Sequence, residues 1–159
     1  MADYDDEKLA NEEETAKMNE EYEAQDAKKA RNEILKGLPV YLTDEAAKAA
    51  ESCGKAAQGC LFLLDYATTP DEKKLLRFAA DRTDGLCAAL GRKTFRKEER
   101  FGASGVKKAL EKTFLFSNDA AMKLCALAEA SGGDARLKDA AMSAVVATQA
   151  LFAVCLLQI

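Results

Sequence analysis

The chain has 159 residues, 48% of them apolar, a formal net charge of −4, two prolines, nine glycines, and neither histidine nor tryptophan. That length suffices for a single domain with a real core, and alanine in place of turn-forming residues points to an all-α fold. Residues 1–36 hold twelve acids against six bases and residues 37–159 fifteen against seventeen, so an acidic arm precedes a slightly basic body, which argues against free nucleic acid as a partner.

The expected architecture is a bundle of four to five helices with a long acidic N-terminal helix extending from it. Residues 1–37 form the arm and residues 38–159 the bundle. The acidic start, MADYDDEKLANEEE, is neither a secretory signal nor an arginine-rich transit peptide. From residue 6 to 36 the apolar positions are sparse: Leu9, Ala16, Tyr22, Ala27, Ala30 and Ile34. Alone, so thin a seam leaves the segment frayed or disordered, and a partner is what would order it.

Gly37-Leu38-Pro39 closes that helix, because the residue before a proline is pushed away from helical angles. Thr43 is the expected cap of a second helix, with Asp44 and Glu45 in its first turn, running to about Tyr66. Cys53 and Cys60, seven apart, share a face with Ala49, Ala56 and Leu64. Thr69-Pro70-Asp71-Glu72 is a strong helix start: a capping residue, a proline at the first position, then two acids. The third helix turns Leu75, Leu76, Phe78, Ala79, Leu86 and Leu90 toward the core, with the option of continuing into the basic stretch beyond. A fourth runs from about Val106 to Ala130, with a potential bend at Ser117-Asn118-Asp119. Ser131-Gly132-Gly133-Asp134 makes a turn and a fresh cap.

The last helix has an unusual property. Asp139 is its final charge, and residues 140–159 hold none. Twenty helical residues span roughly 30 Å, about the hydrocarbon thickness of a bilayer. Leu151, Phe152, Val154, Leu156 and Leu157 are its candidate membrane- or protein-embedded residues. Six alanines with Ser143, Thr148, Gln149 and Gln158 leave it only moderately apolar, which favours embedding in protein over a lone lipid anchor.

The five cysteines, Cys53, Cys60, Cys87, Cys125 and Cys155, form no CxxC pair and sit among Ala, Leu or Phe. They read as reduced core thiols in a reducing compartment, and without histidine no metal or cofactor is expected. Cys155 stands fifth from the end, which rules out a prenylation box. Catalysis is not expected either. The commonest general base is missing, no phosphate-binding glycine loop occurs, and only Asp65, Asp81, Asp84 and Asp119 fall near apolar helix faces. No small-molecule substrate is evident.

GRKTFRKEERFG, residues 91–102, carries Arg92, Lys93, Arg96, Lys97 and Arg100. On a helix these form one continuous stripe, with Phe95 nearly opposite. The plain reading is a solvated helix end. The sharper one is contact with an anionic surface: lipid headgroups, an acidic protein, or an acidic arm of this chain.

Two stretches resemble the N-terminal half of the peroxin eleven family of peroxisomal membrane-elongation proteins. Cys53-Gly54-Lys55-Ala56-Ala57-Gln58 with Leu63-Leu64 is similar to that family's Ala-Ala-Gln helix, and Gly91-Arg92-Lys93-Thr94-Phe95-Arg96 to its Arg-Lys-x-x-Arg element. Residues 115–125 match a later helix more loosely. The resemblance implies a lipid-facing role for the basic stripe. The family's tryptophan-bearing start and membrane-embedded second half have no counterpart here. A non-catalytic, membrane-associated structural subunit of a larger organellar membrane assembly, such as a respiratory-type complex, is therefore the first expectation. Its partners would be protein subunits or anionic lipid, and its place the mitochondrial inner membrane or the peroxisome or glycosome. A membrane-remodelling factor and a soluble helical adaptor are the alternatives.

Overall fold

The computed structural model describes residues 40–91 and 105–158, which form four helices. The acidic arm lies outside the described residues. The first helix, α1, spans Val40–Leu64. It starts three residues before the expected cap. Thr43 lies inside the first turn and its hydroxyl donates to the Val40 carbonyl at 2.6 Å, the back-bonding of a helical threonine and not the geometry of a cap. The buried side of α1 is built from small residues: Ala46, Ala49, Ala50, Cys53, Ala56, Ala57 and Cys60. Such a surface lets neighbouring helices approach closely.

The second helix, α2, spans Pro70–Ala89. Here the start signal acts as the residue types require: Thr69 is extended and its side chain accepts from the Glu72 amide at 3.2 Å, with Pro70 opening the helix. The helix closes at Leu90, and Gly91 follows with φ +87°, the left-handed conformation that glycine adopts without strain. It therefore ends ahead of the basic run. Phe78 departs from its expected core position. It faces outward, and the Arg82 guanidinium lies 4.6 Å from its ring centre.

The third helix, α3, spans Val106–Ala130 and passes through Ser117–Asp119 without interruption. Its end is a paired-bond stop: the Gly132 amide donates to Glu129 O at 3.1 Å and the Gly133 amide to Ala128 O at 2.9 Å. Both glycines have positive φ. Asp134 then caps the fourth helix, α4, Ala135–Leu157, accepting from the Arg136 and Leu137 amides.

Packing is cyclic. α1 packs on α2 and α3, and α4 packs on the same two, so α1 and α4 are diagonal partners. Two core clusters fix the directions. One joins Leu42 and Ala46 of α1 to Leu86 and Leu90 of α2, Leu124 and Leu127 of α3, and Leu137 and Ala141 of α4. The other joins Cys60 and Leu63 to Leu76 and Ala79, Ala109 and Leu110, and Leu151 and Val154. Touching helices are thus antiparallel, while α1 and α4 run the same way. The end of α2 and the start of α3 consequently stand at opposite ends of the bundle. Residues 92–104, which follow the one and precede the other in sequence, lie outside the described residues.

Candidate contact surface

α4 occupies one corner of the bundle and presents two different apolar faces. Leu137, Ala140, Ala144, Ala147, Leu151 and Val154 point inward and are buried. Met142, Phe152, Leu156 and Leu157 point outward and remain 65, 54, 54 and 50% exposed. Gln149 is exposed between them, with Val145, Val146 and Ala153 half-buried at its flanks. The five residues expected to act together in this helix are therefore divided: Leu151 and Val154 belong to the core, and Phe152, Leu156 and Leu157 to the surface. Met142 and Gln149 were not among the expected residues, although their seven-residue spacing with Leu156 carries the signal.

Polar contacts hold α4 in this orientation. The Thr148 and Ser117 hydroxyls meet at 2.7 Å across the α3–α4 seam. Arg82 of α2 donates to the Ser143 hydroxyl at 3.4 Å from the other side. The Phe114 and Phe152 rings lie 6.2 Å apart and tilted by 45°, so Phe152 rests against the shoulder of α3. By length and composition α4 could cross a membrane. In this fold one of its faces is already spent on the bundle.

A second surface lies between α1 and α3, a groove of about 580 Å³. Leu115 and Met122 are its exposed apolar members, and Lys55 lies 5.3 Å from the Phe116 ring centre. At its middle Asp119 accepts from Lys123 at 2.7 Å and from the Ser52 hydroxyl at 2.6 Å. The hydrogen bonds from Lys123 and then Ser52 hold its carboxyl below the usual aspartate value. Lys48 pairs with Glu45 and Lys55 with Glu51. The groove is thus a set of internally matched charges, which leaves little field to capture a charged ligand.

The cysteines divide as well. Cys53, Cys60 and Cys87 are buried, Cys155 is half-buried, and Cys125 is exposed. Cys125 stands on the outer side of α3, not in the core where its apolar neighbours place it by sequence. Burial, with Cys87 adding to it, pushes the Cys53 thiol up to about 12, and burial alone does the same at Cys60. Neither is a nucleophile at neutral pH. Among the described residues no group of three or more His, Cys, Asp or Glu side chains could hold a metal ion.

Arg92, Lys93, Arg96, Lys97 and Arg100, the expected anionic-surface contact, lie outside the described residues. Residues 53–58 and 115–125, where the peroxin eleven expectation rests, fall on α1 and α3, and the Arg-Lys-x-x-Arg stretch lies outside the described residues. No family model, no curated protein and no solved structure matches the chain.

Proposed function

We propose that this chain is a non-catalytic structural subunit that joins a larger organellar membrane assembly through the outward face of α4. The observation that carries the reading is the pairing of two facts about one helix. Its inner face completes the core through Leu151 and Val154, while its outer face leaves Met142, Phe152, Leu156 and Leu157 uncovered with no charge from residue 140 onward. A face of that character, running the length of a helix, is the mark of a contact surface.

Charge distribution favours a protein-lined environment over bare lipid. α4 is flanked by α2 and α3, which expose Lys74, Arg77, Arg82, Lys108, Glu111 and Glu129. Sinking the intact bundle into hydrocarbon would take those groups along, at about 2.5–3.5 kcal/mol for each charge near the bilayer centre. Drawing α4 out alone would uncover the core leucines instead. The resemblance of Gly91–Arg96 to the Arg-Lys-x-x-Arg element of peroxin eleven supports the membrane side of the proposal, and the groove between α1 and α3, with its matched charges, supports a non-catalytic role.

The test is mild detergent extraction of native membranes followed by native gel migration, for the wild type and for Phe152→Asp. The wild type should migrate within a complex well above 17.2 kDa, and the variant should leave it while keeping its helical spectrum. Release of the wild type by buffer alone, as a lone chain, would defeat the proposal.

A further inference from the structure

We propose that the outer face of α4 receives a second copy of this chain, packed antiparallel across a two-fold axis through Gln149. The inference rests on the reading of that face as the contact surface and names its immediate partner.

Four observations lead to it. The outward residues and their half-buried flanks follow a three–four spacing, Met142, Val145/Val146, Gln149, Phe152/Ala153 and Leu156, which is the seam pattern of a helix pair. The seam also reads almost the same in both directions from its centre. Seven residues either side of Gln149 stand Met142 and Leu156, three either side Val146 and Phe152, and four either side Val145 and Ala153. In an antiparallel two-fold pair each of these residues faces its counterpart from the other copy. Met142 then meets Leu156, Phe152 meets the smaller Val146, and Val145 meets the smaller Ala153. A two-fold interface demands a surface complementary to itself, and this one is.

Gln149 supplies the third observation. It is the one strongly polar side chain on the seam, and it stands at the centre. A primary amide both donates and accepts, so two of them facing each other satisfy one another, and any slip would leave them buried without partners. Such a residue sets register, as a lone polar residue does in a coiled coil. The fourth is charge. With none on either copy's seam after Asp139, like meets like without repulsion.

The size is adequate. Met142 to Leu156 covers about 21 Å of helix. The rims broaden the contact toward the roughly 800 Å² per partner of a standard interface. On one side the rim is Phe114 against Phe152, and on the other it is Phe78 under Arg82, which itself bonds Ser143 of α4.

Cross-linking of the full chain tests the geometry, in a background of Cys125→Ser and Cys155→Ser that removes the two cysteines outside the core. Under mild oxidation Gln149→Cys should link to itself. Met142→Cys alone should not, and a mixture of Met142→Cys with Leu156→Cys chains should link to each other. By sedimentation the wild type should weigh twice 17.2 kDa, and Gln149→Arg should halve that mass while keeping the helical spectrum. Equal self-linking of Met142→Cys and Gln149→Cys would overturn the two-fold arrangement. A monomer whose liposome binding is lost in Gln149→Arg would assign the face to lipid. A monomer that enters the native complex only with Gln149 intact would assign it to a different protein. Either result overturns the second copy and leaves the face as a contact surface. A monomer in which Gln149→Arg alters neither binding nor assembly would remove that reading too.

Discussion

Ser117 and Thr148 face each other across the α3–α4 seam with their hydroxyl oxygens 2.7 Å apart. Thr148 already donates its hydrogen to the Ala144 carbonyl at 2.8 Å, so Ser117 is the donor between them. Thr148→Val removes the acceptor of the buried Ser117 hydroxyl and should destabilise the bundle by about 1–3 kcal/mol. Adding Ser117→Ala should recover much of that loss, because both polar groups then disappear together. Urea unfolding of the two single variants and the double variant measures the coupling, and simple additivity would show that the bond does not register the helices.

The two faces of α4 should respond in opposite ways to truncation. Leu151 is fully buried, and Leu151→Ala should cost about 2–5 kcal/mol through lost burial and the cavity left behind. Phe152→Ala should cost the isolated chain less than about 1 kcal/mol, because the ring is half-exposed and only leans on Phe114. In the assembly the ranking should change, with Phe152→Ala weakening association far more than Leu151→Ala.

Thiol labelling near pH 8 should resolve three classes. Cys125 should react first, Cys155 more slowly, and Cys53, Cys60 and Cys87 only after unfolding. For Cys155, burial and the nearby Glu111 raise the thiol value, which slows it further. Early labelling of Cys53 or Cys60 would contradict the packing of α1.

Much of this fold can be read along the chain because its stops are chemically explicit. Thr69-Pro70 and Ser131-Gly132-Gly133-Asp134 specify a cap, a fixed φ and left-handed positions, and the helices begin and end there. Thr43 was less informative, because threonine serves equally as a cap and as a back-bonded residue in a first turn. The directions of side chains were hardest to read where nearly every position is apolar. In α4 the residues at 151 and 152 are both large and hydrophobic, so periodicity cannot say which is core, and the Ser117–Thr148 bond and the pair Phe114–Phe152 decide it. Phe78 shows the same limit, since its place outside the core depends on Arg82 covering it. The diagonal placement of α2 and α3 has no local signature at all. It follows from which small residues fit which neighbour.

Asp84 offers a pH test of the α2 surface. Burial, then repulsion from Asp81, raises its carboxyl above the usual value. The folded state therefore holds this proton more tightly than the unfolded one. The stabilising contribution is full below the unfolded value of about 3.9 and is lost as pH rises through the folded value. Asp84→Asn should melt higher than the parent at pH 7, and the gap should close below about pH 4. A gap that persists into acid would point to packing in place of charge.

Whether the outer face of α4 is covered in the working protein can be measured through two methionines. Met142 on α4 and Met122 on α3 are 65 and 66% exposed in the isolated chain, so their intrinsic access to oxidant is the same. Hydroxyl-radical oxidation of the native membrane-extracted assembly, read by mass spectrometry, compares them within one molecule. Met142 should be oxidised many times more slowly than Met122, and Gln149→Arg should restore equal rates. Oxidation of Met142 as fast as Met122 in the native assembly would contradict that coverage.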